Sequence, residues 1–272
     1  MHTKPLTLYQ RGMTRWHKPP PNPHLNRNKL HLWLINLEIS KVTNGFLKVL
    51  SPDEKARFSR LVGPHRRAAF AVGRASLRLI LAKYLELPPE EIRFGYQKMG
   101  KPYIANSFRE PEIQFNLSHC GPWMILGICY GINLGIDIER IRPVNKKWAL
   151  ENLFSAEERD YIDRFSKDDC DRAFIAHWTK KEAAAKAAGI GLAGVNIKKG
   201  SKNAPAWVVP DDDILWLSEE PFCYLSFESP AGYITIAALR TVEKPAANFF
   251  EFSLDTYPEF EPSKNFNLSF GL

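Results

Sequence analysis

The 272-residue chain has only four cysteines, Cys120, Cys129, Cys170 and Cys223, and no Cys-x-x-Cys pair among them. That spacing points to neither a zinc site nor a disulfide framework and suits a reducing, cytoplasmic setting. Long apolar runs are also missing. The longest near-apolar stretch, around residues 123–132, is too short to span a bilayer, and no apolar h-region follows the first basic residues. Neither membrane insertion nor secretion is expected. Acids are absent from the first 30 residues, which hold six Lys/Arg and five prolines, so residues 1–29 are expected to form a mobile basic arm. Residues 241–272 reverse the sign, with five acids against two lysines, and their aromatics Phe249, Phe250, Phe252, Tyr257 and Phe260 offer a way to dock on the body. With +6 on the arm and −3 on the tail, the net charge of +7 leaves +4 on the body. That is too little for a dedicated nucleic-acid binder, though it suits an acidic partner or a phosphate-rich ligand.

What is present centres on Gly135-Ile-Asp137-Ile-Glu139-Arg-Ile141. Apolar and polar residues alternate, the period of a strand with one buried face, so Asp137 and Glu139 project side by side while Ile136 and Ile138 point the other way. Two carboxylates two residues apart can hold a hard cation such as Mg²⁺ with the help of substrate phosphates and water. The same residues also read as a solvated strand face beside Arg140 and Arg142. A hydrophobic fraction of 44% is ample for a buried core.

Along the chain, residues 31–37 read as a buried strand, and Ser51-Pro-Asp-Glu54 as a helix start with an N-cap serine, a first-turn proline and a capping-box glutamate. A helical pattern runs from Arg66 to Leu85 and stops before Pro88-Pro89; short strands are expected around 92–96, 113–117 and 123–130. The pattern then repeats at an offset of 104: the strand around Trp33 falls on the strand of Asp137, Ser51–Glu54 on the capping box Ser155–Glu158, Phe70 on Phe174, and helix 66–85 on helix 170–189. Segments 114–117 and 123–129 likewise resemble 223–226 and 233–239. The sequence therefore predicts an α+β fold of two similar halves, 30–133 and 134–240, related by a pseudo-twofold and flanked by a flexible arm (1–29) and tail (241–272). Trp33 and Ile35 occupy the places of Asp137 and Glu139. Only the second half carries the carboxylates, so a single site near the seam is expected.

The second long helix contains Trp178-Thr-Lys-Lys181-Glu182-Ala-Ala-Ala-Lys186, in which Trp178, Glu182 and Lys186 share one face. Alone, that is an ordinary surface Glu-to-Lys pair, weakly stabilising. Taken with Gly-Ile-Asp-Ile-Glu some forty residues earlier, with Gly100-Lys101-Pro102, and with Asn116-Leu-Ser118-His119, it resembles the 4′-phosphopantetheinyl transferases of the large pseudodimeric Sfp type. The resemblance covers roughly residues 51–240. Cys120 departs from it, standing where many members have a small residue or serine.

The resemblance implies transfer of the phosphopantetheine of coenzyme A to a serine of an apo acyl or peptidyl carrier protein of fatty acid, polyketide or nonribosomal peptide synthesis, releasing adenosine 3′,5′-bisphosphate. It implies a cytoplasmic monomer that works without nucleic acid or membrane. Asp137, Glu139 and Glu182 would hold Mg²⁺, or Mn²⁺ in its place, with Glu182 as base and Lys186 at the leaving phosphate. Arg57, Arg67, Lys98, Lys101, Asn116, Ser118, His119, Lys181 and Lys186 are the expected CoA contacts. The basic segment 140–148 is a candidate dock for an acidic carrier. A Mg²⁺-dependent phosphohydrolase acting on CoA or a nucleotide, and a noncatalytic binding protein using the basic arm, stand as alternatives.

Overall fold

The computed structural model describes residues 14–38, 44–106, 112–191, 214–217, 220–253 and 257. Strand β1 (Lys29–Asn36) is buried on both faces. Trp33 and Ile35 face the core of the first half, whereas Leu30, Leu32 and Leu34 enter a second core against the other half. Helices α1 (Asn44–Val49), α2 (Pro52–Arg60) and α3 (Pro64–Leu85) follow. The α2 start is the expected one: the Glu54 side chain accepts from Ser51 N–H at 3.0 Å. α3 begins two residues before the expected Arg66, because Pro64 occupies its first turn, where a missing N–H costs nothing. A single 3-10 turn (Pro89–Glu91) leads to a short hairpin, β2 (Phe94–Tyr96) and β3 (Pro102–Ile104), and then to β4 (Ile113–Cys120) and β5 (Trp123–Tyr130).

The second half runs β6 (Leu134–Arg140), α4 (Lys147–Leu153), α5 (Ala156–Asp163), α6 (Lys167–Ala188), β7 (Ile214–Leu217), β8 (Glu220–Glu228) and β9 (Tyr233–Leu239). Ser155 and Glu158 cap α5 reciprocally, as the sequence predicts. α6 starts three residues earlier than expected, where Ser166 accepts from Asp169 N–H, and Gly189 ends it in the left-handed conformation at φ 71°. The two four-stranded sheets are ordered β10-β1-β5-β4 and β6-β9-β8-β7, where β10 is Ala246–Glu251. In each, the first strand of the half pairs antiparallel with the last and the middle one follows, so the fold is α+β with strand order repeated between halves.

The expected flexible extensions are corrected wherever they are described. β10 pairs in parallel with β1 and covers the free edge of the first sheet. Trp16 packs edge-on against Phe227 and Phe249, His17 bridges Phe250, and Leu25 is buried. Composition averages over the arm and tail, but these few apolar side chains bury enough surface to order the backbone around them. Residues 1–13, 254–256 and 258–272 lie outside the described chain.

A shared core joins the halves: Leu30, Leu32, Leu34, Ile125 and Cys129 pack against Leu134, Ile136, Ile138, Phe227 and Leu239. On its opposite face β6 lies directly on α6. A Cβ at Gly135 would strike the Ala183 carbonyl and the Ala187 nitrogen, so only glycine permits this approach. No described helix is long and apolar enough to cross a membrane.

Candidate functional site

Because Gly135 faces α6, the alternation of β6 sends Asp137 and Glu139 toward α6 as well, whereas Ile136 and Ile138 enter the shared core. α6 meets them with Glu182 and, one turn on, Lys186. The Lys186 ammonium donates to Asp137 Oδ1 at 2.7 Å, Ser118 Oγ at 3.0 Å and the Ile136 carbonyl at 3.1 Å. Ser118 Oγ in turn donates to Asp137 Oδ1 at 2.8 Å. Asp137 is 4% exposed, and its second oxygen, Oδ2, is buried without a hydrogen-bond partner. Burial, and then the charge of Asp137, push the carboxyls of both Glu139 and Glu182 above the usual carboxylate range. Glu139 and Glu182 thus gather at Asp137, whose Oδ1 is paired with Lys186 and whose Oδ2 has no hydrogen-bond partner. Among the described residues no three His, Cys, Asp or Glu side chains stand close enough together to hold a metal ion as they are.

The first half lays β4 alongside this strand. Residues two apart on β4 share a face, and Asn116, Ser118 and Cys120 follow β6 in the same sense. Asn116 Oδ1 accepts from Ile136 N–H at 2.7 Å, Ser118 binds Asp137, and Cys120 Sγ lies 3.7 Å from Glu139 Oε2. Sequence reasoning set Cys120 aside as a minor departure. The parity that separates it from His119 also places it with Ser118, so the signal was there. His119, on the opposite face of β4, is exposed.

The remaining expected CoA contacts divide. Arg57 and Lys98 are exposed, Arg57 lying over the Phe70 ring at 5.3 Å. Arg67 is spent on the α2–α3 turn, donating to the Leu61 carbonyl at 2.7 Å and the Ser59 carbonyl at 3.3 Å. Lys101 is buried and donates to the Leu134 carbonyl at 2.9 Å; burial lowers its amine to about 8. The β2–β3 hairpin tip beside it reaches the end of α6, where a Cβ at Gly189 would come within 2.9 Å of Gln97 Oε1.

Lys181 requires a correction. Its side chain is 2% exposed, forms an ion pair with Glu158 at 2.9 Å and lies over the Phe154 ring at 5.2 Å, so it cannot meet a ligand at the carboxylate site. Helical geometry turns it about 100° away from Glu182 and into the core of its own half. The first half has a related pair: capping-box Glu54 holds Arg78 at 2.6 Å, with Arg74 beside it. In the 140–148 segment, Lys146 pairs with Asp171 at 2.6 Å, whereas Arg142 and Lys147 are exposed and Trp148 is 65% exposed.

Comparison with known proteins gives the family. The family model described as the 4′-phosphopantetheinyl transferase superfamily matches residues 133–227, and one described as 4′-phosphopantetheinyl transferase, N-terminal, matches residues 40–129. The chain is 33% identical over 213 residues to the 4′-phosphopantetheinyl transferase HetI of Nostoc sp., covering 73% of this chain and 90% of that protein. It is 30% identical over 149 residues to the 4′-phosphopantetheinyl transferase Sfp of Bacillus subtilis, covering 54% of this chain and 63% of Sfp. To the L-aminoadipate-semialdehyde dehydrogenase-phosphopantetheinyl transferase of Rattus norvegicus it is 28% identical over 165 residues, covering 54% of this chain and 50% of that protein.

Proposed function

The chain belongs to the 4′-phosphopantetheinyl transferase superfamily, and from that premise we propose that Asp137, Glu139 and Glu182 hold a Mg²⁺, or Mn²⁺ in its place, against the pyrophosphate of CoA. The observation that carries this is the buried Asp137 Oδ2 without a hydrogen-bond partner, beside the Glu139 and Glu182 carboxyls that burial and the Asp137 charge raise. A hard cation relieves that repulsion, and an all-oxygen donor set is what Mg²⁺ takes. Bound there, the ion would neutralise charge spreading over the transferring phosphoryl group.

The chain's own residues then divide the work. Glu182, half-buried with its carboxyl raised by that burial and its neighbours, takes the hydroxyl proton of a carrier serine, whose oxygen attacks the phosphopantetheine phosphorus. The bond to the bridging oxygen of the nucleotide breaks, leaving adenosine 3′,5′-bisphosphate. Lys186, 30% exposed, exchanges one of its protein acceptors for the leaving phosphate. The exposed Arg57, Lys98 and His119 hold the nucleotide end of CoA. Lys101, Asn116 and Ser118 stand at the edge of this site, each with one polar atom bonded to β6.

The acceptor is an apo acyl or peptidyl carrier protein, met by the enzyme as a monomer in a reducing cytoplasm; none of the described cysteines forms a disulfide. Carrier docking falls on Trp148, Arg142 and Lys147, an apolar anchor with a positive rim. The experiment is intact-mass spectrometry of apo acyl carrier protein incubated with the enzyme, CoA and Mg²⁺, beside Glu182→Gln. The expected result is a gain of one phosphopantetheine on the carrier serine, lost in the variant and without metal. CoA cleavage that proceeds without any carrier would overturn the reading in favour of a hydrolase.

A further inference from the structure

β6 is an edge strand. β9 pairs with one side of it, and the other side faces β4, itself the edge of the first sheet. The spare N–H and C=O groups of an edge need partners, and in β6 they belong to the even-numbered residues, alternate to those bonded to β9. Side chains supply those partners. The Leu134 carbonyl accepts from Lys101 Nζ at 2.9 Å, Ile136 N–H donates to Asn116 Oδ1 at 2.7 Å, and the Ile136 carbonyl accepts from Lys186 Nζ at 3.1 Å. Two of these come from the first half and one from α6, so the backbone of the carboxylate strand is clipped from both flanks. Asn116 is 4% exposed, and its acceptor oxygen sits on the amide immediately before Asp137.

We infer that Asn116 is a positioning residue: through Ile136 N–H it sets the height of β6 across the seam and so holds Asp137 and Glu139 over Glu182. Asp137 and Glu139 lie on the same short strand, one and three residues beyond the clipped amide. A β6 released at Ile136 moves both carboxylates together against Glu182, which is fixed on α6. The first half thereby contributes to the chemistry of the second without touching a reacting atom. This rests on the metal reading proposed above for its functional consequence, but not for its structural one.

The test compares full-length Asn116→Leu, which keeps the size and removes the acceptor, with Asn116→Asp, which keeps an acceptor oxygen. Four measurements are made: amide hydrogen exchange at Ile136, Mn²⁺ affinity by paramagnetic resonance, metal-free CoA affinity by calorimetry, and steady-state kinetics for kcat and KM. In Asn116→Leu, exchange at Ile136 quickens, Mn²⁺ binding and kcat each fall about 10- to 100-fold, the range typical of lost outer-shell partners, and CoA affinity stays within about twofold. Asn116→Asp restores both Ile136 protection and Mn²⁺ binding. Weakened CoA binding with unchanged exchange and unchanged Mn²⁺ affinity would make Asn116 a nucleotide ligand and overturn the inference, and so would no change in any of the four. If Asn116→Leu does not fold by circular dichroism, Asn116→Ala, which also removes the acceptor, carries the same comparison with a smaller side chain. A wild-type protein that binds no Mn²⁺ would sink the metal reading, leaving Ile136 exchange to decide the clip.

Discussion

Lys181 separates a structural from a ligand-binding role most cleanly, because the sequence motif places it next to Glu182 and the fold places it in the core. Its ammonium and the Glu158 carboxylate are 2% and 1% exposed and 2.9 Å apart. The other Glu158 oxygen, Oε2, accepts from Ser155 N–H at 2.7 Å, so the acid is fixed by its cap as well as by its partner. Lys181→Met keeps the length of the chain and removes the charge, stranding a buried carboxylate. Breaking a buried pair from one side costs about 3–5 kcal/mol, which in a chain of this size lowers Tm by roughly 10 °C. Adding Glu158→Gln removes the stranded charge while keeping a cap acceptor, so the double variant recovers most of the loss. Urea unfolding of the wild type, both single variants and the double closes the cycle, and CoA titration runs in parallel, where no change is expected. A stability loss under about 1 kcal/mol, the size of an exposed pair, together with weakened CoA binding, would refute the placement.

Two further outcomes follow from the same reasoning. His31 is 2% exposed, and its Nδ1 lies 2.9 Å from Tyr84 Oη, which already accepts from Trp33 Nε1 and so donates to the neutral imidazole. Burial lowers its pKa to about 4. The unfolded chain therefore takes up the proton first, so this contribution is whole above about pH 6.5 and is lost as pH falls toward 4, amounting to about 3 kcal/mol at 1.4 kcal/mol per unit. Unfolding free energies of wild type and His31→Gln at pH 7 and pH 4.5 check it: the variant should show a flatter acid limb, and equal slopes would refute the buried neutral state. Separately, Lys147→Glu reverses one exposed charge beside Trp148 and should raise KM for carrier several-fold while leaving KM for CoA alone; an unchanged carrier KM would move the dock elsewhere.

The carboxylate face was legible because alternation in a strand is strict: once Gly135 fixes the side that meets α6, Asp137 and Glu139 must follow. The capping boxes at Ser51 and Ser155 were legible for the same local reason, each being settled within four residues. Lys181 was not, because its partner Glu158 lies on another helix and nothing in the motif tells an outward lysine from an inward one. Arg67 and Lys101 show a related limit: a cation beside a nucleotide motif looks like a phosphate ligand, and here main-chain carbonyls at Leu61, Ser59 and Leu134 also accept from them. At the termini, docking of the tail aromatics Phe249, Phe250, Phe252 and Tyr257 was anticipated and is seen, whereas the ordering of the arm and tail was not. Their order comes from pairing β10 with β1, a contact more than 200 residues apart in sequence.

Among the described residues, the two halves show why the first carries no second copy of the proposed site. At the offset that superposes the capping boxes, Asp137 and Glu139 correspond to Trp33 and Ile35, both fully buried in the first core, and Glu182 corresponds to Arg78, which is 1% exposed. Arg78 gives its donors to Glu54 at 2.6 Å and to the Pro89 and Ile92 carbonyls at 2.8 Å. Every position that would make a second set of acids is thus spent on holding the first half together. Reinstating acids there would strand charge in a packed core at a cost of several kcal/mol each. Relieved of chemistry, the first half supplies a rigid edge instead: β4 presents Asn116, Ser118 and Cys120 to Ile136, Asp137 and Glu139 in turn. The carboxylates are therefore fixed by a scaffold on one flank and reached by Glu182 and Lys186 on the other. That division requires both halves to be folded before the site exists, so damage at the seam should cost activity before it costs either core.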